Sequence, residues 1–108
     1  MGKNLNSRLR IGRLTIDKGR FEVQLYRKGI RLTRKEFALL WLLASRPGMV
    51  FNRKQLMARI WGPDVSVEPR TVDAHMMKLR KKLLMAPLSN SFIETVWGIG
   101  YRLRSRVR

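Results

Sequence analysis

Pro69-Arg70-Thr71-Val72-Asp73-Ala74-His75-Met76-Met77-Lys78-Leu79-Arg80-Lys81-Lys82-Leu83-Leu84 is the stretch that decides the fold. Proline suits a first helical position, where its missing N–H costs no hydrogen bond, and the spacing predicts a helix from Arg70 to about Leu84. At about 100° per residue, Val72, Met76, Leu79 and Leu83 share one narrow stripe that must face a core. The opposite face follows: Arg70, Ala74, Met77 and Lys81, with Thr71 and Lys78 on one shoulder and Asp73 and Arg80 on the other. Short side chains in its N-terminal half let this face enter a groove about 12 Å wide, the width of the DNA major groove.

Each side chain on that face has a chemistry that base edges and phosphates can use. Lys78 can donate to guanine O6 and N7, Thr71 can hydrogen-bond or pack on a thymine methyl, and Ala74 and Met77 offer apolar contact to thymine methyls. Arg70, Arg80 and Lys81 are placed for phosphates. Asp73 has two readings: an acceptor from cytosine N4, or a structural acid favoured by the dipole in the first helical turn. His75 sits beside the buried stripe and reads as a hydrogen-bonded side chain at the helix edge, within reach of a phosphate. A merely solvated face mixes signs, yet Lys78 to Lys82 holds four cations and the chain end adds Arg102, Arg104, Arg106 and Arg108.

The bulk composition points the same way. The 108 residues allow one domain with one core, and 24 Lys+Arg against 7 Asp+Glu give a net charge of +17. Such a balance calls for a polyanion. With no cysteine and one histidine, His75, a metal centre is not expected, nor is a cofactor. The longest apolar run, Phe37 to Ala44, is eight residues, far short of the roughly 20 that span a bilayer. No secretory signal opens the chain, so a cytoplasmic location is expected. An enzyme reading finds no catalytic pair or phosphate loop, and Gly98-Ile99-Gly100 lacks the third glycine of a dinucleotide fingerprint. The rival with the same size and charge is a ribosomal or other structural RNA-binding protein, marked by aromatics exposed on a sheet.

Along the chain, residues 1–8 are polar without period and read as a flexible arm or linker remnant, with the domain at 9–108. Ile11, Leu14, Ile16, Phe21, Val23, Leu25, Ile30 and Leu32 alternate with polar residues, broken by Asp17-Lys18-Gly19 and Lys28-Gly29; these are three or four short antiparallel strands. Thr33 and Glu36 form a capping-box pair, stapled by Leu32 and Phe37, and open a helix whose core residues are Phe37, Leu40, Trp41 and Ala44; Pro47-Gly48 ends it. Asn52 and Gln55 repeat the device, stapled by Phe51 and Leu56, for a shorter helix to about Trp61. After the third helix, Phe92 to Val96 and Tyr101 to Leu103 flank a glycine turn and read as a hairpin.

Sheet, three helices and hairpin give an α+β winged helix-turn-helix, and the wording of the chain resembles the effector domain of OmpR/PhoB-type response regulators from about Leu9 to Leu103. The resemblance rests on Leu32-Thr33-Arg34-Lys35-Glu36-Phe37, Arg53-Lys54-Gln55-Leu56 through Ile60-Trp61-Gly62, Arg70-Thr71-Val72-Asp73-Ala74-His75 through Leu79-Arg80-Lys81-Lys82-Leu83, and Glu94-Thr95-Val96-Trp97-Gly98-Ile99-Gly100-Tyr101-Arg102. It implies sequence-specific binding of double-stranded DNA for transcription regulation, with the hairpin as a wing over the minor groove. It further implies a second copy bound head to tail on a direct repeat, and a loop from Gly62 to Pro69, with Pro63, Asp64, Val65 and Glu68, facing RNA polymerase. Carried over residue by residue, it implies base contact by Thr71, Asp73 and Lys78 and phosphate contact by Trp61, Arg70, His75, Arg80, Thr95 and Tyr101. The chain departs from the family at Met77 and Trp97, positions that often hold a cation, which leaves Arg102 and Arg104 as the wing's basic residues. Trp97 then packs either on sugars or back onto the domain.

Overall fold

The N-terminal alternation builds an antiparallel sheet in chain order: β1 (Arg8–Ile11), β2 (Leu14–Asp17), β3 (Glu22–Leu25) and β4 (Lys28–Ile30). The computed structural model describes residues 7–84 and 92–104. Most of the expected N-terminal arm, and Arg106 and Arg108 of the basic tail, lie outside the described residues. Period two puts Leu14, Ile16, Val23 and Leu25 on one buried face, with Leu14 opposite Leu25 and Ile16 opposite Val23. The first strand opens one residue ahead of the expected Leu9, because Arg8 pairs with Asp17.

One turn and one strand position are corrected. Lys28-Gly29 lies inside β4, and the turn before it is Tyr26-Arg27, with φ of +52° and +66°. Leu25 opposite Lys28 leaves two residues to reverse the chain, and two-residue turns that match sheet twist need positive φ. Phe21 leaves the strand pattern as well: it sits at φ +54°, half-exposed, with its ring 4.3 Å from that of Phe37.

Helices α1 (Arg34–Ser45) and α2 (Arg53–Ile60) each open with a complete capping box, Thr33 with Glu36 and Asn52 with Gln55. Both boxes satisfy N–H groups that a helix start leaves without partners. Helix α1 packs between the sheet and α3 (Arg70–Leu83), so it buries more than one stripe. Glu36, Leu39 and Leu43 are buried in addition to the expected Phe37, Leu40 and Ala44, while Trp41 is only half-buried. Val72, Met76, Leu79 and Leu83 of α3 are all buried, as its period requires.

The C-terminal hairpin, β5 (Ile93–Val96) and β6 (Gly100–Leu103), is tied to the α1–α2 connection. Phe51 N donates to Tyr101 O at 2.8 Å and Tyr101 N returns a bond to Phe51 O at 2.9 Å. Gly100 makes this approach possible, since a Cβ there would overlap the Phe51 carbonyl oxygen and stand 2.8 Å from Asn52 Cα. The sequence thus fixes the hairpin beside α3 by backbone contact as well as by the buried Ile93 and Leu103.

Candidate nucleic-acid interface

Burial of the apolar stripe turns the rest of α3 outward. Arg70, Ala74, Met77, Lys78 and Lys81 are exposed, with Thr71, Asp73, His75 and Arg80 half-buried at the shoulders. A groove runs between this face and the hairpin, lined by Met77, Arg80 and Lys81 on one side and Thr95, Trp97 and Ile99 on the other. Eight of the side chains expected to contact DNA, Asp73, Met77, Arg80, Lys81, Thr95, Trp97, Tyr101 and their neighbour Lys78 on the same helix face, are thereby brought to one side of the domain.

The shoulder of α3 is locked to the hairpin and to α2. Asp73 accepts from Arg53 Nε at 3.2 Å and Nη2 at 2.5 Å, and from the Tyr101 hydroxyl at 2.6 Å. Burial, then the hydrogen bond to the Asp73 carboxylate, pushes the Tyr101 phenol up to about 12. Arg80 donates through both terminal nitrogens to Thr95 Oγ1, Nη1 at 2.8 Å, and its guanidinium lies 5.5 Å from the centre of the Tyr101 ring. Arg53, Asp73, Tyr101, Arg80 and Thr95 therefore form one connected set spanning α2, α3 and both hairpin strands.

On the other side of α3, the His75 ring nitrogen Nδ1 lies 2.9 Å from Thr71 O, a carbonyl that can only accept. The Nδ1 proton is thereby fixed. The His75 ring meets Trp61 edge to face at 5.0 Å, and Lys35 caps Trp61 with its ammonium 5.2 Å from the ring centre while donating to Ile60 O at 3.2 Å. Arg70 is exposed and lies 3.5 Å from Glu68. Pro63, Asp64, Val65 and Glu68 are exposed in the α2–α3 connection.

Three cations are held differently from expectation, and one of the two readings of Trp97 is excluded. Lys82, counted on the basic face, turns inward and donates to the buried Glu36 at 2.6 Å. Burial raises the Glu36 carboxyl, but the bonds from Lys82 and Thr33 outweigh it and hold the group below its ordinary value. Arg102 and Arg104 do not reach the hairpin tip: Glu94 holds Arg102 at 2.7 Å and lies 3.7 Å from Arg104. Trp97 does not pack back on the domain, since it is 88% exposed. The ties of Arg53 to Asp73, Glu36 to Lys82 and Glu94 to Arg102 join residues 20, 46 and 8 apart, beyond local sequence reading; the Glu94–Arg102 cross-strand pair alone is recoverable, from the hairpin register.

Residues 27–103 match the family described as transcriptional regulatory protein, C terminal. The chain belongs to this family. It is 44% identical over 104 residues to the Heme response regulator HssR of Staphylococcus saprophyticus, a match covering 96% of this chain and 46% of that protein. The chain thus spans about half the length of the curated relatives it matches. Among solved structures it is similar to response regulator DrrB, an OmpR/PhoB homolog of Thermotoga maritima, at 36% identity and TM-score 0.80, covering 91% of this chain and 44% of that one. The RstA DNA-binding domain of Klebsiella pneumoniae, solved in complex with the RstA box, matches at 31% identity and TM-score 0.80 over 92% of this chain and 98% of that domain. The winged helix-turn-helix is the fold of this family member. Among the described residues, no helix is long and apolar enough to cross a membrane.

Proposed function

We propose that this chain binds double-stranded DNA with sequence preference and serves as the effector part of a two-component transcription regulator in the cytoplasm. The observation that carries the reading is the outward face of α3. Ala74, Met77, Lys78 and Lys81 stand exposed on a helix whose opposite side is wholly buried, beside an anchored hairpin. The family membership and the DNA-bound RstA domain support it.

In this reading α3 lies in the major groove, with Thr71, Ala74, Met77 and Lys78 on base edges and Arg70, Lys81, Arg80, Trp61, His75, Thr95 and Tyr101 toward the flanking phosphates. Asp73 takes the second of its two readings: with its carboxylate held by Arg53 and Tyr101, it positions the helix against the wing. A second copy binds head to tail on a direct repeat, and the exposed Pro63, Asp64, Val65 and Glu68 face RNA polymerase.

The test is selection from a random duplex pool at about 150 mM salt, near physiological ionic strength. The expected result is a direct repeat with half-sites about one helical turn apart. Retention of every sequence alike would leave electrostatic attraction alone and overturn the reading.

A further inference from the structure

The tip of the hairpin is apolar, exposed and closed by a backbone hydrogen bond. Trp97 is 88% and Ile99 61% exposed, on a turn closed by the bond from Ile99 N to Val96 O at 2.9 Å with Gly98 at φ +79°. Large apolar side chains left in water together mark a contact surface. The hairpin's cations are turned from the tip, since Arg102 and Arg104 share Glu94. Pairing of Glu94 with Arg102 and of Thr95 with Tyr101 places that cluster on the face opposite the side bonded to α3. The tip therefore offers surface rather than charge.

Its position supplies the partner. Trp97 and Ile99 line the same groove as Met77 and Lys81 of α3, so the tip is continuous with the face proposed to enter the major groove. A helix there sets an adjoining hairpin over the neighbouring minor groove, where apolar side chains enter between base pairs, partly unstack a step and bend the duplex. Such an insertion needs an anchored tip, and the bonds joining Phe51 to Tyr101 and Arg80 to Thr95 provide the anchor.

We infer that Trp97, flanked by Ile99, is an apolar wedge that enters the minor groove and unstacks one base step. Site selection then includes a readily deformed pyrimidine–purine step (TA or CA/TG) at a fixed distance from the bases under α3. The inference rests on the DNA-binding reading above.

The chain is compared with its Trp97→Ala and Trp97→Phe variants by selection from a random duplex pool and by fluorescence of 2-aminopurine placed at the selected step, which rises on unstacking. Trp97 is exposed, so its replacement leaves the core untouched, and circular dichroism of each variant checks this. The expected outcome is a pyrimidine–purine step in fixed register outside the α3 bases, and a fluorescence rise with the chain and with Trp97→Phe. Trp97→Ala loses both, with binding about tenfold weaker, the scale of one lost aromatic stack on a base. If the chain and Trp97→Ala select the same sequences with equal affinity and neither raises the fluorescence, the wedge is overturned while the DNA reading stands. If the chain itself selects no sequence, the DNA reading fails and the wedge with it.

Discussion

Replacing Asp73 with alanine separates its two readings. The substitution removes the bidentate acceptor of Arg53 and the acceptor of the Tyr101 hydroxyl. The Arg53 and Asp73 side chains are 53% and 29% exposed, so solvent screening limits that ion pair to about 0.5–1 kcal/mol. The half-buried Tyr101 bond to a carboxylate is worth about 1.5–2 kcal/mol, and the loss totals about 2–3 kcal/mol. For a domain of this size that lowers the melting temperature by roughly 8–24 °C. A double-mutant cycle with Tyr101→Phe is expected to give a coupling of about 1 kcal/mol or more. In duplex selection, Asp73→Ala keeps the bases chosen by wild type and weakens all sequences alike. A variant that melts with wild type, shows no coupling and changes one selected base would refute the positioning role and put the carboxylate on a base edge.

Lys78→Ala is expected to relax sequence preference at one or two positions, whereas Arg80→Ala weakens binding to selected and random duplexes equally, as titrations against both will show. Gly100→Ala forces a Cβ into the Phe51 carbonyl and costs about 1–3 kcal/mol by thermal melting; Gly29→Ala, with nothing within 4 Å of its Cβ, melts near wild type. Tyr101, raised from 10.0 to about 12 in the fold, holds its proton more tightly than in the unfolded chain. Its contribution is therefore complete below pH 10 and is lost as pH rises from 10 to 12, a decline of about 2 kcal/mol that Tyr101→Phe abolishes in urea melts at stepped pH.

What the sequence made legible was local. The buried stripe of α3 and the two capping boxes depend on residues three or four apart, and periodicity reads such spacing directly. Leu39 and Leu43 were missed for a related reason: a single-stripe reading suits a helix with one covered face, and α1 is covered by the sheet on one side and α3 on the other. The eight apolar residues from Phe37 to Ala44 already carried that information. Contacts between distant residues were not legible. Helical spacing puts Lys81 opposite the buried stripe and Lys82 at its edge, but it does not reveal that Lys82 meets Glu36, 46 residues away. The turn at Tyr26-Arg27 escaped because neither residue is glycine, although the strand register demands positive φ of both.

The seven acids give the net charge of +17 a different meaning. Asp17 accepts Arg20 N in a turn, Glu22 lies beside the Arg20 side chain, and Glu36, Glu68, Asp73 and Glu94 hold Lys82, Arg70, Arg53 and the Arg102–Arg104 pair. Among the described residues, Asp64 alone has no such partner, and it lies in the exposed α2–α3 connection. The acids thus orient cations or turns, and the charge left to meet phosphates is local. On α3 it comprises Lys81 and Arg70, whose pair with Glu68 joins two side chains more than three-quarters exposed and yields readily to a phosphate; Lys78 is kept for a base. With Arg80, that is three cations per copy and about six on a direct repeat. Counterion release then gives log K a slope against log salt near −5. A slope much steeper than this would mean that cations of the N-terminal sheet touch DNA as well; one much shallower would mean that Arg80 stays with Thr95.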